Sequence, residues 1–103
     1  MNPLISEKLA ELSSLCTQRR VRRLALFGSA ATEGFVLDSS DIDFIVEFEP
    51  MKPKAYADNY FGLLEDLERL FGAAIDLVEY APIKNPYFKK EIDETRIVVY
   101  EAA

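Results

Sequence analysis

Histidine and tryptophan are absent from the 103 residues, and cysteine occurs once, as Cys16. Without histidine the common zinc ligand sets and Ser-His-Asp nucleophilic sites are excluded, and a lone cysteine forms no internal disulfide. Long hydrophobic runs are missing too: no stretch approaches the roughly 18 to 20 apolar residues of a membrane-spanning helix. The start, Met1-Asn2-Pro3-Leu4-Ile5-Ser6-Glu7, has neither the basic region nor the apolar core of a signal peptide, so a cytoplasmic protein is expected. Positive charge is scarce, with 12 Lys and Arg against 18 Asp and Glu and a formal net charge of −6. Strong direct nucleic-acid binding requires a local excess of cations and is not expected. One basic cluster stands against that balance: Arg19, Arg20, Arg22 and Arg23.

What the chain does have is the balance of a globular protein, 50% apolar and 29% charged. Its length predicts one domain, residues 1–103, with enough chain to bury a core. Leu4, Ile5, Leu9, Leu12, Leu15 and Cys16 recur at three- and four-residue steps and predict a first helix starting near Ser6. Leu24-Ala25-Leu26-Phe27 reads as a short buried strand ending in a Gly28-Ser29 turn, with a brief helix over 30–33 and a loop through Gly34 and Asp38-Ser39-Ser40. Over 41–49 the chain alternates. Ile42, Phe44, Val46 and Phe48 fall on one face, while Asp41, Asp43, Ile45, Glu47 and Glu49 fall on the other. Pro50 and Pro53 close that strand. A helical face then runs from Tyr56 through Tyr60, Leu63, Leu64, Leu67 and Leu70 to Phe71 and stops at Gly72, a residue suited to a left-handed cap. A strand over 74–80, a short helix over 87–94 and a last strand over 97–100 complete an α/β unit of three or four strands.

Carboxylate is the abundant functional group, and it is the ligand of hard cations such as Mg²⁺. Same-face residues of a strand lie roughly 6.5 to 7 Å apart, so Asp41 and Asp43 can converge on one cation or on a close pair. Asp76, embedded in the apolar run 74–80, can add a third oxygen ligand or accept a proton from an attacking hydroxyl. Taken singly, each aspartate also fits a solvated strand position. Gly28-Ser29 fits an ordinary tight turn or a phosphate cradle, since glycine after a strand lets backbone N–H groups approach an anion closely. The arginine cluster fits a solvated helix end favoured by the helix dipole. Most of the five tyrosines read as core aromatics.

Leu26-Phe27-Gly28-Ser29, followed after a loop by Ser40-Asp41-Ile42-Asp43-Phe44-Ile45-Val46, resembles the Gly-Ser…Asp-x-Asp signature of the minimal nucleotidyltransferases of the DNA polymerase β-like superfamily. Ile75-Asp76-Leu77-Val78 sits where that family carries its third carboxylate strand. Asn85-Pro86-Tyr87-Phe88 and Ile97-Val98-Val99-Tyr100-Glu101 resemble its usual C-terminal end. The resemblance implies a small mixed sheet of three to four strands packed against helices. It also implies that Gly28 and Ser29 hold the triphosphate of ATP, that Asp41, Asp43 and Asp76 are the catalytic and Mg²⁺-binding carboxylates, and that Asp76 readies the acceptor hydroxyl. Ala30, Ala31, Thr32 and Glu33 depart from the pattern, because many relatives carry arginines just after the Gly-Ser pair.

Stand-alone members of this family are commonly antitoxins, so the resemblance implies transfer of AMP from ATP to a tyrosine of a partner HEPN-domain toxin. The alternative is a catalytically weak or inactive antitoxin that neutralises such a partner by binding alone, and the missing arginines favour it. A chain this short has little room for an acceptor-binding lobe, so the acceptor of a transfer is expected on another protein.

Overall fold

The computed structural model describes residues 3–31 and 41–103, with the backbone alone at 29 and 30. The expected loop through Gly34 and Asp38-Ser39-Ser40, together with Thr32 and Glu33, lies outside the described residues. Helices α1 (Pro3–Ser6) and α2 (Leu9–Gln18) open the chain. Strand β1 (Val21–Leu26) follows and leads into a 3₁₀ turn over Gly28–Ala31. Then come β2 (Ile42–Phe48), α3 (Pro53–Phe71), β3 (Ile75–Glu79), α4 (Pro86–Thr95) and β4 (Ile97–Glu101). The α/β class and the four-stranded sheet agree with the sequence expectation. At the start of the chain a boundary differs: the Ser6 hydroxyl donates to the Pro3 carbonyl at 3.2 Å, closing α1 instead of capping the next helix.

The strands lie in the order β3-β2-β1-β4. β1 pairs antiparallel with both β2 and β4, whereas β2 and β3 run parallel, making the sheet mixed. Parallel neighbours cannot be joined by a hairpin, so the connection between β2 and β3 must cross over, and α3 is that crossover. Pro53 starts α3 at a position where its missing N–H costs nothing. Gly72 ends it at φ +60°, and its N–H bonds to the Glu68 carbonyl at 2.8 Å.

The two faces of the sheet bury different things. On one, Leu24, Leu26, Ile42, Phe44, Val46 and Leu77 pack against Ile5, Leu12 and Cys16 of the N-terminal helices and against Leu63, Leu67 and Phe71 of α3. Burial pushes the Cys16 thiol up to about 12, so it stays protonated and serves as a small hydrophobe. On the other face a smaller cluster of Ala25 and Ile45 is covered by Ile92 of α4. The alternating strand is therefore not polar on its second side throughout. Ile45 lies under α4, and only the ends of that face stay open.

β1 begins three residues earlier than Leu24, at Val21, and one of its two arginines finds partners across the sheet. Arg23 stands opposite Glu47 on β2 and Glu101 on β4, and its guanidinium reaches them at 3.0 and 3.1 Å. Opposite charges facing each other across a ladder support strand pairing, where a solvated arginine would not. Arg19 turns the other way: its Nε donates to Asp66 on α3 at 2.8 Å, and Arg69 approaches the same carboxylate at 3.5 Å. No described helix is long and apolar enough to cross a membrane.

Gly62 makes the Arg19–Asp66 pair possible, because the guanidinium occupies the space where a Cβ at position 62 would stand. Helix propensity alone predicts that Gly62→Ala stabilises α3 by about 1 kcal/mol. Because the Arg19 guanidinium must move aside, the expected outcome in denaturant unfolding is a gain well below that figure, under about 0.5 kcal/mol. Displacing Arg19 weakens its bond to the nearly buried Asp66 carboxylate.

Candidate active site

Three segments meet at one end of the sheet: the C-terminal end of β1 and the N-terminal ends of β2 and β3. The Phe27 N–H donates to the Asp43 carbonyl at 3.0 Å, and the Ile42 N–H donates to the Ala74 carbonyl at 3.0 Å. These two bonds tie the three ends together. The parallel register pairs Asp43 with Asp76, placing the two aspartates side by side on adjacent strands about 4.8 Å apart. Asp41 lies exposed just ahead of β2.

Gly28 turns the chain at φ +61°, a backbone conformation that L side chains disfavour. A Cβ there would come within 2.6 Å of Asp43 Oδ2. The glycine thus lets the backbone lie directly against the carboxylate. Ser29 follows it on the 3₁₀ turn. Of the residues singled out from sequence, Asp41, Asp43, Asp76 and Gly28 come together here.

Asp43 is half-buried, and its carboxyl is held above the usual carboxylate range. Burial is the largest cause, followed by the negative charges of Asp76 and then Asp41. Ionised Asp43 is therefore a cost to the folded protein that a cation would relieve. Among the described residues no group of three or more Asp, Glu, Cys or His side chains is placed to hold a metal ion. The donor set is nonetheless hard carboxylate oxygen, as Mg²⁺ prefers, and Mg²⁺ commonly uses only one or two protein carboxylates. The residues fit that ion.

The arginines sit elsewhere. Arg19 and Arg23 are committed to Asp66 and to Glu47 and Glu101, and Arg20 lies 3.8 Å from Glu49. Two aromatic features were not legible as such in the sequence. On α3, Tyr60 donates to the Leu77 carbonyl at 2.5 Å, and burial and then the charges of Glu79 and Asp76 raise its phenol, while Tyr56 donates to Glu79 at 2.6 Å at the far end of β3. On α4, Phe88 meets Phe27 edge to face at 6.3 Å and Tyr87 stands free. Helical spacing does mark α3, but no local pattern tells a core tyrosine from an exposed one.

A family model described as a nucleotidyltransferase domain matches residues 5–99. The chain belongs to this family. Over 80 residues it is 41% identical to a Methanocaldococcus jannaschii protein named "putative protein adenylyltransferase", covering 78% of each chain. A solved structure described as a "putative minimal nucleotidyltransferase" superposes with a TM-score of 0.74 at 26% identity, covering 89% of both chains. A chain from a crystal structure of a toxin–antitoxin with AMP-PNP superposes with a TM-score of 0.67. That match covers 91% of this chain and 73% of the other, and at 16% identity it shows a common fold.

Two substitutions probe this end of the nucleotidyltransferase domain. Gly28→Ala forces an L residue into a left-handed turn and pushes on Asp43, so unfolding measurements should show a loss of about 1 to 2 kcal/mol. Asp43→Asn removes the buried, repelled charge while keeping the shape. In metal-free buffer it should raise the thermal midpoint, and a lowered midpoint would contradict the electrostatic assignment.

Proposed function

We propose that this nucleotidyltransferase, acting as a single domain over residues 1–103, transfers AMP from ATP to a hydroxyl of a partner protein. The acceptor in this reading is a tyrosine of a HEPN-domain toxin, which the modification silences, so the chain acts as an antitoxin. The observation that carries the proposal is the pairing of Asp43 with Asp76 in register beside the Gly28 turn. The protein-adenylyltransferase names of relatives at 41% identity support the activity, and the fold held in common with a toxin–antitoxin chain supports the setting.

The roles follow from chemistry. Asp41 and Asp43, with Asp76 as third carboxylate, are the residues that would hold Mg²⁺. Bound Mg²⁺ supplies neutralising charge to the phosphates and makes the α-phosphorus more electrophilic. The Gly28-Ser29 backbone presents N–H groups to the triphosphate without a side chain in the way. Asp76, the more exposed of the strand pair, takes the proton of the acceptor hydroxyl as its oxygen bonds to the α-phosphorus and pyrophosphate leaves. ATP is both the substrate and the source of the leaving group.

One observation favours a second reading, an antitoxin that neutralises its partner by binding alone. No arginine follows Gly28 within its turn, and Arg19 and Arg23 are held by structural carboxylates away from the acidic end. An intact-mass measurement separates the two. Incubated with Mg²⁺, ATP and its co-purified partner, the wild type should add one AMP to that partner, and Asp41→Ala/Asp43→Ala should add none. If no mass is added and the double variant still neutralises fully, the binding-only reading stands.

A further inference from the structure

The first turn of α4 carries a feature that the proposed chemistry does not use. Tyr87 is 84% exposed, and Phe88 beside it is 36% exposed. Large aromatics left in water at the start of a helix cost free energy unless something covers them. Their position is specific. Phe88 rests on Phe27, the residue immediately before Gly28, whose N–H is bonded to the Asp43 carbonyl. α4 also packs against the Gly28–Ala31 turn itself. Phe88 is thus continuous with the wall of the acidic site, and Tyr87 precedes it on the same helical turn.

Charge narrows the occupant. Residues 83–90 hold Lys84, Lys89 and Lys90 and no acid, within a chain whose net charge is −6. Lys89 is partly engaged over the Tyr80 ring at 4.8 Å, and Lys90 lies at the limit of pairing with Glu94, 3.9 Å away. Lys84 has no ion-pair partner among the described residues. Aromatic faces combined with local positive charge suit a ligand that offers both a π-face and phosphates. The α4 N-terminus is not itself the anion site, because Asn85 Oδ1 already accepts from the Tyr87 and Phe88 N–H groups.

We propose that Tyr87, next in the chain to the Phe88 that is seated on Phe27, is the stacking platform for the base of the nucleotide whose phosphates lie at the Gly28 turn, and that Lys84 adds positive charge at its edge. This rests on the nucleotidyltransferase reading and adds to it the residues that grip the base. A triphosphate alone meets only the backbone turn and the carboxylate-held charge. A full nucleotide gains the aromatic contact as well, and such stacking is commonly worth roughly a factor of ten or more in affinity.

Equilibrium binding with Mg²⁺ present tests it, using AMP-PNP and inorganic tripolyphosphate as probes on the wild type, Tyr87→Ala and Tyr87→Phe. With its side chain in solvent, Tyr87 can be truncated without touching the core. The wild type should bind AMP-PNP more tightly than tripolyphosphate. Tyr87→Ala should lose about tenfold for AMP-PNP and nothing for tripolyphosphate, and Tyr87→Phe should restore the difference. Equal AMP-PNP affinity in the wild type and Tyr87→Ala overturns the platform and leaves the nucleotidyltransferase reading standing. Loss of partner capture by Tyr87→Ala with unchanged AMP-PNP affinity also overturns it, reassigning the surface to protein docking. A wild type that binds neither probe overturns both.

Discussion

The parallel pairing of β2 with β3 is the constraint on which the rest depends. The Ile42 N–H to Ala74 bond at one end and the Tyr80 N–H to Val46 bond at the other, both 3.0 Å, pin its register. Because the strands run the same way, α3 must cross from one to the other, and it brings Leu63, Leu67 and Phe71 onto the sheet as it does so. The same register sets Asp76 beside Asp43. A slip by one residue would turn Leu77 out of the core and Asp76 into it, so the burial that stabilises the fold also guards the acidic pair.

Charge is distributed unevenly over this frame. Arg19 is matched to Asp66, and Arg23 to Glu47 and Glu101, so scarce cations neutralise carboxylates that hold α2 to α3 and β1 to its neighbours. Arg96 adds a second, longer approach to Glu47 at 3.8 Å. The trio at the end of the sheet receives no such partner in the contacts described. Asp43 is half-buried, repelled by two like charges and pressed against the Gly28 backbone. The paired charges lower the energy of the fold, whereas this group raises it, and strain of that kind is a mark of functional sites.

α4 explains why the open face has two characters. Its Ile92 covers Ile45 and Ala25 in the middle of the sheet, while its first turn reaches the Gly28 turn and carries Tyr87 and Phe88 to the rim. The strand ends thus carry carboxylates, and the helix start carries aromatic surface and lysines.

Much of the frame was legible in the residues themselves. Alternation over 41–49 marks β2 because a half-buried strand must alternate, the three- and four-residue steps from Tyr56 to Phe71 mark α3 because a helix repeats every 3.6 residues, and Gly72 marks its end because only glycine takes φ +60° without cost. The Gly-Ser and Asp-x-Asp spacing pointed to the family that the comparison confirms. Less legible were contacts between residues distant in the chain. Nothing local distinguishes an arginine that faces Glu47 and Glu101 from one that faces a phosphate, so the basic cluster stayed ambiguous until strand pairing separated Arg19 from Arg23. Nor could Tyr87 be told from a core tyrosine, since exposure depends on what α4 packs against. The sequence by itself determined which elements form and which side chains each carries, because periodicity, caps and turns act over a few residues. Only the tertiary structure decided the partner of each charge and the pairing of Asp43 with Asp76, because register and packing are set by segments that meet only when the whole sheet has formed.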